Sequence, residues 1–429
     1  MKLLLKSPIT TLIIWGLALR MVVWFFYGHI TIFPDSEGYE SLAKLISSGS
    51  LSGYDGTRSP GYPVLLALLG NPNILLVALQ MGLGVYGTVL LFKNLKLLEF
   101  SSASSLIISL LLGSLLHVIF YETAILTESV TFFVFLLVFN ILFNGYFEKK
   151  SFPLDILLGF ILVYLILVKP FYIFLPFIIY GFYILKQWHW KTLMNPKIII
   201  VILPMMAFLS WSYVNKLNTG YFVPTTFFGY NIAQNCVHFA EKSSPKYAEI
   251  AEIYVRHREK TILEGKDVAM SIWSANSELQ AKTKLSLPDL SALLSEFSKE
   301  TIDRNPIDYL KQVTVSWSDF WRTSMYWNVD NFRIKAATPT FILIWDIQHY
   351  FLKFFKIAFL LNVPLLLYGF LKNRRFSDEI VITTIIIAAS VLQAFSTYGT
   401  NSRFSYPFEF FMVIVVLLQV KRYYYRYRK

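Results

Sequence analysis

Ten long apolar stretches constrain the fold of this chain more than any other feature. Most are close to the roughly 17 to 25 residues that an α-helix needs to cross the hydrocarbon core of a bilayer. With 55% hydrophobic and 15% charged residues and a mean hydropathy of +0.52, the composition excludes a water-soluble globule. The sequence therefore predicts an all-α polytopic membrane protein, a bundle of about ten transmembrane helices. The stretches cover about 8–28, 73–92, 103–120, 124–143, 153–168, 171–185, 197–213, 350–371, 378–396 and 403–420.

Basic residues in the short loops predict how these helices are oriented, because translocation of positive charge is disfavoured. Lys93 and Lys96, Lys149 and Lys150, and the tail KRYYYRYRK fall on one side if the amino terminus is cytoplasmic. Both termini are then inside. The formal charge of +12 is mostly this topological signal with some attraction to anionic lipids, and it does not indicate nucleic-acid binding.

The polar segments divide the chain into three regions. Residues 1–213 form an amino-terminal transmembrane module whose first outer loop spans 29–72. Residues 214–340 form a helical extracytoplasmic domain, with Ser286 and Asp289 or Ser291 as candidate helix caps and Pro306 as a helix boundary. Residues 341–429 carry the last transmembrane helices and a basic cytoplasmic tail. The lone Cys236 excludes an intramolecular disulfide.

Charged residues gather on the predicted outer side. Anionic groups beside cationic groups at one membrane face suit a ligand that carries phosphate at the level of the lipid headgroups and a hydroxyl to be activated. Each charge on its own has a simpler interpretation as a snorkelling side chain or a helix-end residue. For Asp35 that alternative is the amino cap of a helix over 36–47. The set comprises Asp35, Glu37, Arg58, Glu122, Glu128, Lys169 and Arg403.

Four segments of the chain carry a resemblance to a known family. They are PDSEGY followed by RSPGYP in the first outer loop, LTESVTFFVFLL with Glu128, LVKPFYIFLP with Lys169, and NSRFSYPFEF with Arg403. In this order they resemble the GT-C glycosyltransferases of the protein O-mannosyltransferase and aminoarabinose (lipid A) transferase type. The resemblance implies a GT-C-like bundle in a bacterial inner membrane with an extracytoplasmic active site.

The reaction of this family implies a role for each of these residues. Such enzymes move a hexose or pentose from a polyprenyl-phosphate donor to a hydroxyl on a lipid, a protein or a glycan. Asp35 is the expected general base, and Glu37 is a second candidate because many family members carry adjacent acidic residues where Ser36 separates the two here. Lys169, Arg403 and Arg58 are expected to hold the donor phosphate, and Tyr39 and Glu122 to contact substrate.

Three questions stay open at this point. Glu128 could hold a cation, orient the sugar, or pair with Arg20 in the first span. The six histidines show no metal-ligand spacing, but a divalent cation such as Mg or Mn on Asp35, Glu37, Glu122 or Glu128 is compatible with their oxygen ligands. Two other functions compete: a flippase or transporter of lipid-linked sugars, and a polymerase or ligase of lipid-linked glycans.

Overall fold

The computed structural model describes residues 7–70, 74–187, 195–399 and 401–427. Over these ranges seven helices are long and apolar enough to cross a membrane. A bent helix pair and two shorter apolar helices, Glu128–Phe143 and Phe152–Val168, complete the bundle. Each of the ten predicted stretches falls on one of these elements, so the all-α polytopic fold is confirmed.

The amino-terminal half alternates apolar spans with the short helices of the first loop. The two loop helices, α2 and α3, lie at the end of the bundle that also carries the helical domain, which we call the domain end. In order the helices are α1 (Pro8–Tyr27), α2 (Pro34–Ser47), α3 (Gly61–Leu68), α4 (Ile74–Leu97), α5 (Ser102–Gly113), α6 (Leu116–Glu122), α7 (Glu128–Phe143), α8 (Phe152–Val168), α9 (Phe174–Gln187) and α10 (Ile199–Thr219).

The stretch predicted as one span over 103–120 is bent by 59° between α5 and α6. A break frees backbone groups that have no water to bind inside a bilayer. The amide of Gln348 takes both roles: it donates to the Ser114 carbonyl (3.2 Å) and accepts from the Leu116 N–H (2.7 Å). The bend is therefore a supported feature of the fold, and it sets the direction in which His117 and Glu122 on α6 face.

The region after α10 forms the expected helical domain. Its core is apolar and separate from that of the bundle, with Tyr254, Leu294 and Phe297 fully buried. Ser286 caps the fourth domain helix by accepting from the Asp289 N–H, and Pro306 opens the fifth, as predicted. The helices are α11 (Phe228–Gln234), α12 (Ala248–Leu263), α13 (Ser271–Thr283), α14 (Leu287–Arg304) and α15 (Pro306–Phe320).

The carboxy-terminal helices complete the bundle. The first begins at Thr338 rather than near 350, so it is longer at its amino-terminal end than the predicted span. The last two residues of the predicted basic tail lie outside the described residues. The helices are α16 (Thr338–Asn373), α17 (Asp378–Ser396), α18 (Ser402–Ser405) and α19 (Glu409–Tyr427).

Candidate functional site

The start of the first loop is pinned to the segment that precedes α7. Thr31 exchanges backbone hydrogen bonds with this segment, donating to Thr123 (3.0 Å) and accepting from Ile125 (3.1 Å). The Ser36 hydroxyl donates to the Ile125 carbonyl (2.9 Å) and accepts from the Phe33 N–H (3.0 Å). Two stretches that are far apart in sequence, one leading to Asp35 and one to Glu128, are thereby held side by side.

Asp35 lies in the first turn of α2 and does not cap the helix. The alternative in which Asp35 caps a helix over 36–47 is wrong, because the helix begins two residues earlier, at Pro34, and Ser36 satisfies the free backbone N–H of Phe33. The Asp35 carboxylate is left to side-chain partners. It is 33% exposed, so a ligand at the domain end can reach it.

Arg58 approaches Asp35 from the second half of the loop. Its Nη2 donates to Asp35 Oδ1 (2.9 Å). The guanidinium lies over two rings, 4.7 Å from the centroid of Tyr39 and 4.9 Å from that of Phe227. Gly38 makes this approach possible, because a Cβ at that position would lie 2.6 Å from Arg58 Nε. The rings hold a cation in place without neutralising it.

Lys169 reaches the same place from the junction of α8 and the next helix. Pro170 cannot continue α8, and Lys169 itself has an extended backbone (φ −148°, ψ 97°) that turns its side chain back toward α7. Its ammonium lies 3.2 Å from Glu128 Oε1 and 4.9 Å from the centroid of the Phe404 ring.

Arg403 joins the two carboxylates. Its Nη1 donates to Asp35 Oδ2 (2.6 Å) and its Nε to Glu128 Oε1 (2.8 Å). The guanidinium also lies 5.5 Å from the Tyr326 ring centroid. Arg403 sits on α18, a one-turn helix between α17 and α19. One side chain therefore ties the first loop, α7 and the carboxy-terminal helices together.

These contacts make a continuous chain of five charged groups, which we call the ionic cluster: Asp35, Arg58, Glu128, Lys169 and Arg403. Three cations face two carboxylates, so the cluster carries a formal charge of +1. Glu128 is fully buried and the three cations are largely buried. An unbalanced positive charge is costly in such surroundings unless an anion completes it.

Lys169 and Arg58 also have N–H groups that donate to none of the described residues. Within the described part of the chain, the Lys169 ammonium donates one hydrogen bond of the three it can make. The Arg58 Nε–H is buried and has no acceptor among the described residues. Both observations indicate that a further acceptor, with negative charge, belongs at this place.

The cations hold Asp35 in its ionised form. Burial alone would raise the pKa of this carboxyl, but the guanidinium groups of Arg403 and Arg58 outweigh burial and lower the pKa well below its usual range. Asp35 is therefore a carboxylate at any physiological pH. While both arginines hold its oxygens it is also a weak base.

Three other expected site residues lie apart from these contacts. Glu37 is exposed on α2 and makes none of the described ion pairs. Tyr39 is buried beneath Arg58, so it supports the cluster rather than facing a ligand. Glu122 is buried and is held by a different cation.

That cation is Arg20, and the alternative in which Arg20 pairs with Glu128 is wrong. Arg20 Nε donates to Glu122 Oε2 (2.7 Å) and Nη2 to Oε1 (2.5 Å), with both side chains almost fully buried. We call this the intramembrane pair. Gly84 on α4 leaves room for it, since a Cβ there would collide with both charged groups. The bend before α6 turns Glu122 toward α1 and away from the ionic cluster.

The four carboxylates that were compatible with a divalent cation do not form one group. Asp35 and Glu128 are engaged by cations, Glu122 belongs to the intramembrane pair, and Glu37 is exposed. Among the described residues, no three His, Cys, Asp or Glu side chains lie close enough together to hold a metal ion.

Three further groups at the domain end were not among the predicted site residues. Phe227 and Tyr326 supply ring faces to Arg58 and Arg403. Lys356, inside an apolar helix, forms an ion pair with Glu409 at 2.7 Å and had a detectable signal, because a lysine within an apolar run is costly without a partner. Phe227 had no such signal in a chain with 17% aromatic residues, whereas Tyr326 lies in the aromatic cluster SWSDFWRTSMYW, for which the sequence allows either an interfacial anchor or a rim that guides the prenyl chain and sugar.

No family model matches this chain, and no curated protein resembles it closely enough to count as a relative.

Proposed function

We propose that this protein is a membrane glycosyltransferase that moves a sugar from a polyprenyl-phosphate donor to a hydroxyl acceptor. The observation that carries the proposal is the ionic cluster, in which a partly exposed carboxylate lies against cations that outnumber the carboxylates. The motifs that resemble GT-C glycosyltransferases supply Asp35, Arg58, Glu128, Lys169 and Arg403, which are the five members of the cluster.

The donor phosphate takes the place of the missing anion. Arg403 and Lys169 bind its oxygens, with Arg58 as a third contact, because charge-assisted hydrogen bonds are about twice as strong as neutral ones. Glu128 has no exposed surface and holds Arg403 and Lys169 side by side through one oxygen. Its role is to keep two like charges together before the phosphate arrives.

Asp35 acts as the general base of the transfer. The acceptor O–H bond breaks as Asp35 takes the proton, and the freed oxygen pair forms a bond to the anomeric carbon of the donor sugar. The bond from that carbon to the phosphate oxygen breaks in the same step, and the prenyl phosphate leaves with the electron pair. Attack opposite to the leaving group inverts the anomeric configuration. The cations stabilise the charge on the departing phosphate.

The hydrogen bonds of the resting site make donor binding and base activation one event. Each Asp35 oxygen accepts from one arginine, Oδ1 from Arg58 and Oδ2 from Arg403. When an arginine exchanges its hydrogen bond to Asp35 for one to the phosphate, the pKa of Asp35 rises from its lowered value. An Asp35 oxygen then becomes free to accept from the acceptor hydroxyl. Asp35 is then an effective base only when a prenyl phosphate is bound beside it.

In this proposal the protein lies in a bacterial plasma membrane, with the domain end outside the cell and both termini cytoplasmic. This placement is tested by cysteine labelling in whole cells with an impermeant reagent. Because the native Cys236 is fully buried, a new cysteine at Lys266 in the domain or at Lys149 in the opposite loop gives the only reactive thiol. We expect labelling at 266 and protection at 149, and the reverse result would overturn the placement.

The activity is tested by consumption of the donor. Purified protein in nanodiscs is given polyprenyl-phosphate hexoses and pentoses together with a cell-envelope extract as acceptor. Release of free prenyl phosphate and a mass increase of one sugar on an envelope glycan, lipid or protein are expected. A flippase would move the donor between leaflets without consuming it. A polymerase or ligase would consume a lipid-linked oligosaccharide and leave the monosaccharide donors intact.

A further inference from the structure

Another buried ionic group, separate from the intramembrane pair, contacts the helix that carries Arg403. Glu409, the first residue of α19, accepts from the Lys356 ammonium at Oε1 (2.7 Å) and pairs with His117 Nε2 at Oε2 (2.7 Å). All three side chains are at least 97% buried and lie in apolar helices. We call them the Lys–Glu–His group.

Lys356 makes two more hydrogen bonds, and these point toward Arg403. Its ammonium donates to the Arg322 carbonyl (2.7 Å) and to the Ser405 hydroxyl (2.9 Å), so that with Glu409 all three N–H groups have an acceptor. Ser405 is on α18, the helix that carries Arg403. Arg322 opens the segment that carries Tyr326, the ring under the Arg403 guanidinium.

The same two segments are bonded to each other. The hydroxyls of Ser324 and Ser402 lie 2.8 Å apart, one residue from Arg403. The Lys356 ammonium thus bonds to Arg322 and to the last residue of α18, while this hydroxyl pair joins Ser324 to the first residue of α18. His117, which is on α6 and eleven residues before Glu128 along the chain, holds the other carboxylate oxygen of Glu409.

Stability does not account for this arrangement. Replacing a buried ion pair by apolar side chains of similar volume is often neutral or stabilising. We propose that Lys356, Glu409 and His117 are positioning residues that fix the direction of Arg403 and Tyr326. The effect on donor binding rests on the proposed function, whereas the effect on geometry does not.

The test uses a double variant that removes both charges at once, Lys356→Met with Glu409→Gln, so that no unpaired buried charge remains. The chain offers a matched control in Lys197 and Asp155, a buried pair at 2.8 Å that contacts Tyr146 and has no described contact with α18. The control variant is Lys197→Met with Asp155→Asn. If the first double variant does not accumulate, His117→Gln removes one partner of Glu409 and is measured in the same way.

A ligand-free measurement reports the geometry. Ser324→Cys and Ser402→Cys are introduced with Cys236→Ala, and the rate of disulfide formation under mild oxidation is followed. The two hydroxyls are close enough that the thiols should oxidise readily. We expect the rate of disulfide formation to fall at least threefold when the Lys356/Glu409 double variant is added, and to stay unchanged when the Lys197/Asp155 double variant is added. An unchanged rate, or an equal fall in both backgrounds, would overturn the positioning role.

Binding of polyprenyl phosphate in nanodiscs reports the consequence. We expect the Lys356/Glu409 variant to bind about tenfold more weakly than wild type, and the addition of Arg403→Ala to cost little more, because both changes remove the same contact. Additive losses would mean that the group does not act through Arg403 and would overturn the proposal. If wild type binds no prenyl phosphate while the disulfide result holds, the glycosyltransferase proposal fails and the positioning role stands.

Discussion

Replacing Asp35 by Asn should separate turnover from donor binding, moving the two in opposite directions. The amide keeps the shape of the side chain and one oxygen acceptor, but it cannot take a proton. Turnover is expected to fall by a factor of roughly 100 to 10,000, the usual worth of a positioned base. Donor binding should not weaken, because the cluster formally changes from +1 to +2 when one of its two carboxylates is lost.

The size of the binding effect can be estimated from Coulomb's law. A unit charge at about 5 to 8 Å from the donor phosphate is worth on the order of 2 to 3 kcal/mol at an effective dielectric of 20. Because a third of the Asp35 side chain is exposed, solvent screening reduces this to about 1 kcal/mol, a roughly fivefold gain in affinity. The cost to folding is about 1 to 3 kcal/mol, since one charge-assisted hydrogen bond to an arginine is lost.

The assay measures single-turnover sugar transfer and prenyl-phosphate affinity on the same preparation. Glu40→Gln on the same helix is the control and should leave both values within about twofold. If Asp35→Asn retains most of its turnover, Asp35 is not the base, and Glu37→Gln is measured next. If donor affinity falls together with turnover, the variant has damaged the site, and the charge balance drawn for the cluster is wrong.

Three further outcomes are expected. Arg58→Gln removes a cation from Asp35, so its pKa rises toward the ordinary carboxyl value; the acid limb of kcat/KM, which reports the free enzyme, should move to higher pH, and a limb that stays or moves down contradicts the assignment. Arg403→Lys should lose about 10- to 100-fold in donor affinity, measured by equilibrium binding, because an ammonium cannot span two carboxylates as Nε and Nη1 do. Gly84→Ala should lower the thermal midpoint by crowding the intramembrane pair, whereas Gly82→Ala on the same helix, where a Cβ meets nothing within 4 Å, should leave it unchanged.

The transmembrane helices were predictable because a bilayer imposes one requirement on each of them. A span must be continuously apolar and must satisfy its own backbone hydrogen bonds. Both conditions depend only on residues that are close together in the sequence. The departures occur where a distant side chain relieves that requirement. The break between α5 and α6 depends on Gln348, more than 200 residues away, and a local pattern cannot contain it.

The membership of the ionic cluster was largely predictable, but its pairing was not. Asp35, Glu128, Lys169 and Arg403 could be placed at one membrane face from the topology alone. Which carboxylate takes which cation depends on helix rotation, and Arg20 illustrates the difficulty. Glu122 and Glu128 are six positions apart, and the 59° bend decides that Arg20 meets the first. The sequence alone does not give that angle, so it could not exclude a pair between Arg20 and Glu128.

The resting pairing implies an order of substrate binding. An acceptor hydroxyl that arrives first finds both Asp35 oxygens already accepting from arginines, so it gains no strong hydrogen bond there. A donor that arrives first meets surplus positive charge and unused N–H groups on Lys169 and Arg58, and it draws the arginines away from Asp35. Acceptor binding should therefore depend on the phosphate. Acceptor affinity measured with and without prenyl phosphate lacking a sugar should rise at least several-fold in its presence; equal affinity in both conditions would mean that Asp35 is free before the donor binds.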